Sequence, residues 1–405
     1  MRKAPPAPEF PSSPTRLVEL ELEYEFLTFV FGGGVRAEGP KKPFDPTTPI
    51  RSASIRGQLR FWWRATNPTG ATSVAELRNH EAKLFGGVHG EPQRSQIEIR
   101  VRQPSAPRAV RVLEGRFKAA PGFESISYGA FPLRDTDGED HGTLHDFHKG
   151  GFGVALRFPE RFRQQVLAAV WAFSWLGGYG GRTRRGFGAL RLTKSNIPIP
   201  SLQEGWTELV RGTPVDWPHL PKEVSFKIGS KRYGQGLAAH SALLEAMKKL
   251  RQGALGRNPG QAPNRPGRSK WPEPDTIRRL TKTHDPSHPP LVAIDGFPRA
   301  AFGLPIIFKF KDDRTGDPEA QTANPVGKNR FASPLLIRPI QFAPGDIRGL
   351  AVRLSGKRPK RIELSPCGKK EAINLVETEA GRIEPMMKNG RVFVDVIERY
   401  LEEIE

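Results

Sequence analysis

The chain is short of cysteine, of acidic residues and of long apolar runs. Its one cysteine, Cys367, excludes an intrachain disulfide and fits a reducing compartment. No run of about 18 or more apolar residues occurs, which excludes a helical membrane span. The opening MRKAPPAPEFPSSP has two basic residues but no apolar segment behind them, so it is not read as a secretory signal. These absences predict a soluble, cytoplasmic protein. The acid deficit is the strongest of them. Asp and Glu number 43 against 63 Lys and Arg, a net charge of +20. Such a surface favours polyanions through counterion release, whatever their sequence. The plainer alternative is a basic subunit neutralised by an acidic neighbour.

What is present begins with size. At 405 residues the chain has room for two ordinary domains, and 24 Phe and 7 Trp are enough for packed cores. Two segments concentrate one chemistry. Residues 50–64 read IRSASIRGQLRFWWR, an arginine- and tryptophan-rich helix start. Residues 177–188 read GGYGGRTRRGFG, in which six of twelve residues are glycine and three are arginine. Helix N-termini and glycine-freed backbone amides both face anions well, and arginine adds charge and a planar, stackable head. Together with the net charge they predict a chain that holds a phosphate backbone.

Around these segments the pattern alternates between strand and helix. RLVELELEYEFLTFVFGGG alternates apolar and charged residues, as a strand with one wet face does. Ser52 or Ser54 is placed to cap the arginine helix, which runs to about Ala65. A second helix, VAELRNHEAKLFGG, ends at Gly86–Gly87, and SQIEIRVRQ returns as a strand. VALRFP is a strand, PERFRQQVLAAVWAFSWL an apolar helix, and GALRLTKS a closing strand. Strand–helix–strand, strand–helix–strand is the order of a ferredoxin-like unit. After residue 200 the pattern is less regular. It holds a helix, GLAAHSALLEAMKKLRQ, a Gly-, Pro- and Arg-rich exposed insertion near 251–270, a helix from WPEPDTIRRL, and the strands GLPIIFKF and SPLLIRPI.

On the arginine helix, Ile55, Leu59 and Trp62 share the core-facing stripe. Arg56, Arg60 and Arg64 form another, with Trp63 at its edge. Three arginines at this spacing repel one another unless an anion or acidic partner lies alongside. Gly57 inside the helix costs up to about 1 kcal/mol relative to Ala, which points to a close approach at its backbone. Arg51 and Ser54 at the helix entrance join the same anion site. In the loop, Arg182, Arg184 and Arg185 supply charge, while Tyr179 and Phe187 either stack bases or pack inward. The alternative for the loop is a structural crossover between helix and strand. It is neither a Walker loop nor a dinucleotide fingerprint. RGFGALRL partly matches an RRM octamer, but Ala189 and Leu192 stand where stacking aromatics belong, so the loop and not the sheet is the expected RNA platform.

Catalytic signals are weak. Asp140, His141, His145, Asp146 and His148 gather in GEDHGTLHDFHKG, yet no second ligand cluster accompanies them. Cys367 lacks a matching histidine pattern. No catalytic residue, metal or cofactor is expected.

The blocks SIRGQLRFWWR, HEAKLFGG, GGYGGRTRRGFGAL, WPEPDTIRR, FGLPIIF and RFASPLLIRP occur in order from about residue 50 to 340. They resemble the subunit-one family of the Cmr module of type III-B CRISPR systems, within the RAMP superfamily. The resemblance implies an α+β chain of two tandem ferredoxin-like (RRM-like) domains with a glycine-rich loop, at residues 15–200 and 201–405. It implies a non-catalytic RNA-binding subunit near the guide 3′ end, contacting guide RNA, target RNA and other Cmr RAMP subunits. The contact set is Arg51, Ser54, Arg56, Arg60, Trp63, Arg64, Tyr179, Arg182, Arg184, Arg185 and Phe187. The rival is a RAMP-type endoribonuclease that processes guide RNA with His141, His145 or His148. Some RAMP proteins place such a histidine near the end of the first strand, where this chain reads FGGGVRAEG.

Overall fold

The computed structural model describes residues 16–32, 49–88, 92–104, 106–114, 118–131, 143–147, 150–260, 267–310 and 316–405. The Pro/Ser-rich start, His141, His148 and most of FGGGVRAEG therefore lie outside the described residues. The fold is mixed α+β with several antiparallel sheets.

In the first half the elements are β1 (Leu17–Phe26), α1 (Ser52–Thr66), α2 (Val74–Phe85), β2 (Glu98–Arg102), α3 (Glu124–Gly129), β3 (Phe152–Pro159), α4 (Arg163–Leu176) and β4 (Leu190–Ser195). Its main sheet has the order β2-β3-β1-β4 with every neighbour antiparallel. The alternation in β1 sets this up: Val18, Leu20, Leu22 and Tyr24 turn into the core, while Glu19, Glu21 and Glu23 line the other face. α1 and α4 pack together over the buried face. α4 buries nine of its fourteen residues, including Trp171 and Phe173, which is why its sequence is almost without polar positions.

The second half adds α5 (Leu202–Leu209), β5 (Phe226–Ile228), α6 (Gly236–Arg251), α7 (Glu273–Thr281), β6 (Ile306–Phe308), β7 (Gln321–Pro325), β8 (Leu335–Ala343), β9 (Asp346–Arg353), β10 (Arg361–Ser365), β11 (Lys370–Ala372) and α8 (Val396–Leu401). One sheet has the order β8-β9-β5, and α6 packs on it. Strand, helix, strand, strand and helix follow in sequence as β5, α6, β8, β9 and α8. The sheet repeats the first one without its final strand. A four-stranded sheet, β6-β7-β10-β11, is formed by the intervening segments.

The cores cross residue 200. One cluster joins β1, α1 and α4 to Leu202, Trp206, Leu336, Ile340 and Val352. The other joins Phe29, Val112, Ile126 and Phe187 to α6, Phe302 and Tyr400. The glycine loop between α4 and β4 lies where the two clusters meet.

Candidate nucleic-acid interface

α1 starts differently from expectation. The flanking residue is Arg51 in an extended conformation, with no side-chain cap, and its backbone N–H donates to the Tyr179 hydroxyl at 3.1 Å. Ser54 lies in the first turn, partly exposed. Ile55, Leu59, Trp62 and Trp63 are buried. Trp63, expected at the edge of the contact stripe, is fully enclosed and donates its indole N–H to Gln165 Oε1 at 3.2 Å. No face of its ring is open to a base.

The arginine stripe has an internal acidic neighbour. Glu81 of α2 accepts from Arg60 Nε at 2.5 Å and stands 3.7 Å from Arg64 Nη1. Glu81 is only 5% exposed, whereas Arg60 and Arg64 keep 38% and 41% of their side chains in solvent. One carboxylate against two guanidiniums leaves the outer edge cationic. Arg56 turns inward instead, donating to Ser95 Oγ at 2.8 Å and the Ile97 carbonyl at 3.2 Å. Burial, and then the charge of Arg60, hold it below the usual arginine value. Its place is structural. Gly57 is exposed, and a Cβ there would meet nothing within 4 Å. The close approach that Gly57 led us to expect is not made by this chain.

The glycine loop is more tightly packed than an open phosphate cradle. Gly181 N–H donates to the Phe31 carbonyl at 2.7 Å, Gly188 to Phe29 at 2.8 Å, Tyr179 to Gly188 at 2.9 Å and Gly186 to Thr183 at 3.0 Å. These amides face the fold and not an anion. A Cβ on Gly188, at φ +60°, would lie 1.9 Å from the Tyr179 carbonyl oxygen. A Cβ on Gly177 would lie 2.5 Å from the Phe173 carbonyl and 2.8 Å from Trp62 Nε1. Close backbone crossing explains the glycines, as the crossover alternative has it. Tyr179 and Phe187 are buried too. Tyr179 donates its hydroxyl to the Pro49 carbonyl at 2.9 Å, and Phe187 packs edge-on against His240. Neither ring presents a face for stacking.

The arginines of the loop tie it to the second half. Arg184 Nη1 donates to the Ser333 carbonyl at 2.5 Å, and its guanidinium carbon stands 5.3 Å over the ring of Phe61 on α1. Helix and loop therefore meet. Arg185 Nη2 donates to the Phe302 carbonyl at 3.0 Å, and the Arg185 carbonyl accepts from His240 Nε2 at 2.7 Å. Burial, followed by the charges of Arg251 and Arg182, pushes Arg185 down to about 9. Burial also lowers Arg182 and Arg184.

Two residues that hold this site were not singled out by sequence reasoning. Arg338 of β8 is fully buried, lowered by burial to about 9, and donates to the carbonyls of Gly177, Leu190 and Pro339. An arginine inside the apolar run LLIRPI was its only signal. Phe61, four residues after Gly57, is the aromatic on the partly exposed side of α1, in place of Trp63.

His145 lies on a short strand, Thr143–Asp146, whose backbone pairs with Arg108–Arg111 and Val30. Asp146 forms an ion pair with Arg108 at 3.1 Å. Among the described residues no group of three or more His, Cys, Asp and Glu side chains is arranged to hold a metal ion.

Residues 23–191 match the family model of the RAMP superfamily. The chain is 28% identical over 154 residues to CRISPR system Cmr subunit Cmr1-1 of Pyrococcus furiosus, which covers 37% of this chain and 42% of that relative. It is 25% identical over 196 residues to Cmr1-2 of the same organism, covering 44% of this chain and 96% of the relative. The crystal structure of Cmr1 from Pyrococcus furiosus in its apo form aligns over 86% of this chain and 94% of that one, with a TM-score of 0.49 and 18% identity. The sequence match thus spans less than half the length of the first relative.

Proposed function

We propose, from the match of residues 23–191 to the RAMP superfamily model, that this chain is a non-catalytic, RNA-binding structural subunit of a type III-B CRISPR ribonucleoprotein effector. It would sit among other RAMP subunits in the cytoplasm and contact guide or target RNA near the guide 3′ end. The observation that carries the reading is the junction of α1 and the glycine loop. The family match contains both segments, and Arg184 lies over Phe61 where they meet. A chain of net charge +20 presents there Arg60 and Arg64 in excess over Glu81, beside the open backbone of Gly57.

In this reading the RNA backbone runs along the Gly57, Arg60 and Arg64 face of α1 toward Arg184, with Arg51 and Ser54 at its entrance. Phe61 supplies the stacking face. The repeated strand order supports two tandem ferredoxin-like units, at residues 15–200 and 201–405, the second carrying an insertion near 251–270. No helix among the described residues is long and apolar enough to cross a membrane.

The test is binding of single-stranded RNA by the purified chain across a salt series, together with incubation of repeat RNA with and without divalent metal. Affinity should fall steeply with salt and vary little with sequence. Affinity indifferent to salt defeats the electrostatic reading. Cleavage that disappears in His145→Ala replaces it with the endoribonuclease reading.

A further inference from the structure

Among the described residues, desolvated guanidiniums meet either carboxylates or backbone carbonyls. Arg278 is held between Asp275 and Asp317, both at 2.9 Å. Arg299 meets Glu273 at 3.1 Å, and Arg399 meets Glu403 at 2.5 Å. Arg338 has no carboxylate but fills its donors with backbone carbonyls. Arg182, Arg185 and Arg251 follow neither rule. Among the described residues none of the three forms an ion pair. Arg182 Nε, Arg185 Nη1 and Arg251 Nε are sealed from solvent with no hydrogen-bond acceptor.

The three belong to one place. Arg185 donates to the carbonyl of Phe302, and the Arg251 guanidinium carbon stands 5.6 Å from the ring centre of the same Phe302. Arg251 Nη1 reaches the Tyr128 hydroxyl of α3 at 3.2 Å. Arg182 holds a left-handed backbone conformation, φ +54°, unusual for a residue with a side chain. Burial lowers its affinity for a proton, opposed by Tyr128 and reinforced by the charge of Arg251. Each of the four residues is partly exposed. Like charges gathered where part of each head is cut off from water, with unmet donors, are costly until an anion arrives.

We propose that Arg182, Arg185, Arg251 and the Tyr128 hydroxyl form a seat for a single phosphate group of bound RNA, assembled from both halves of the chain. The inference rests on the RNA-binding reading and deepens it by naming two contacts, Arg251 and Tyr128, outside both opening segments. A phosphate suits the site because its oxygens accept from several directions at once, whereas a carboxylate offers one planar edge. The phosphate is either a backbone phosphodiester or a strand-terminal group.

The experiment uses the full chain, Arg251→Gln and the volume-conserving Tyr128→Phe. Thermal unfolding is followed in inorganic phosphate and in chloride at equal ionic strength. Binding is measured for a 12-nucleotide oligouridylate bearing either hydroxyl ends or a 3′-terminal phosphate. Phosphate should raise the melting temperature of the wild type and leave that of Arg251→Gln unmoved. Without phosphate, Arg251→Gln should melt at or above the wild type, because one repelling charge is gone. Its RNA affinity should fall roughly tenfold and its salt slope by about 1, with a smaller loss in Tyr128→Phe. A preference for the 3′-phosphate that vanishes in Arg251→Gln identifies a terminal group; equal loss for both oligomers identifies a backbone phosphate. Wild-type affinity and salt slope in both variants overturn the seat while leaving the RNA-binding reading intact. No RNA binding by the wild type removes that reading itself.

Discussion

Gly57 and Gly188 show how differently two glycines constrain the same chain. At Gly57 a methyl group meets only solvent, so Gly57→Ala should stabilise the RNA-free protein by up to about 1 kcal/mol in chemical denaturation. If RNA crosses that backbone, the same variant should bind it more weakly; unchanged binding places the RNA path elsewhere. At Gly188 the methyl would collide with the Tyr179 carbonyl at a positive φ, and Gly188→Ala should cost about 3 kcal/mol or more on the same measurement. His240 adds a pH dependence. Burial beside Phe187 pushes its imidazole down to about 4, from an ordinary value of 6.5, against the opposing hydrogen bond to the Arg185 carbonyl. The unfolded chain then binds the extra proton first as pH falls. Stability should be intact above pH 6.5 and decline by about 3 kcal/mol as pH falls toward 4. His240→Gln should flatten the part of that slope between pH 6.5 and 5, and an unaltered slope would remove His240 as its cause.

At the scale of elements, α1 was legible as an amphipathic helix because its apolar residues recur at helical spacing, and Leu59→Ala should cost about 2–5 kcal/mol. Its start was not legible, because Arg51 gets its partner from Tyr179, distant in sequence. Nor was the fate of its arginines. The repulsion within Arg56, Arg60 and Arg64 was read correctly as calling for a partner, but periodicity cannot say that Glu81 on the next helix provides one. Arg60→Glu would therefore set a second carboxylate against a buried one and confound folding with binding. Glu81→Gln is the cleaner probe. It should lower the melting temperature while raising RNA affinity, since two half-exposed guanidiniums lose their shared neighbour. A fall in both would assign the stripe to stability alone. The loop shows the same limit. Its glycines announced tight backbone geometry, and composition alone did not distinguish amides aimed at a ligand from amides aimed at Phe29 and Phe31.

For the whole molecule, the strands of the first sheet and the helices α1, α2 and α4 were readable from alternation and apolar helical spacing, whereas α3 and the short strands Arg108–Arg111 and Thr143–Asp146 were not. The second half was not, because its sheet is split by the segments that form β6, β7, β10 and β11. Two repeated units in sequence do not make two independent bodies, since both core clusters draw residues from either side of position 200. Calorimetry of the full chain should give one cooperative transition. A fragment ending at 200 should lack one, because Phe187 and Phe29 lose their cover; an independently melting fragment would restore two autonomous domains. Arg338 carries the point into heredity. Its guanidinium, borne by β8, has its two terminal nitrogens satisfied by carbonyls at the end of α4 and the start of β4. A recombinant joining the front of this chain to the back of a distant relative would leave either those carbonyls or that cation stranded in the interior, so the two segments are expected to be inherited as a pair.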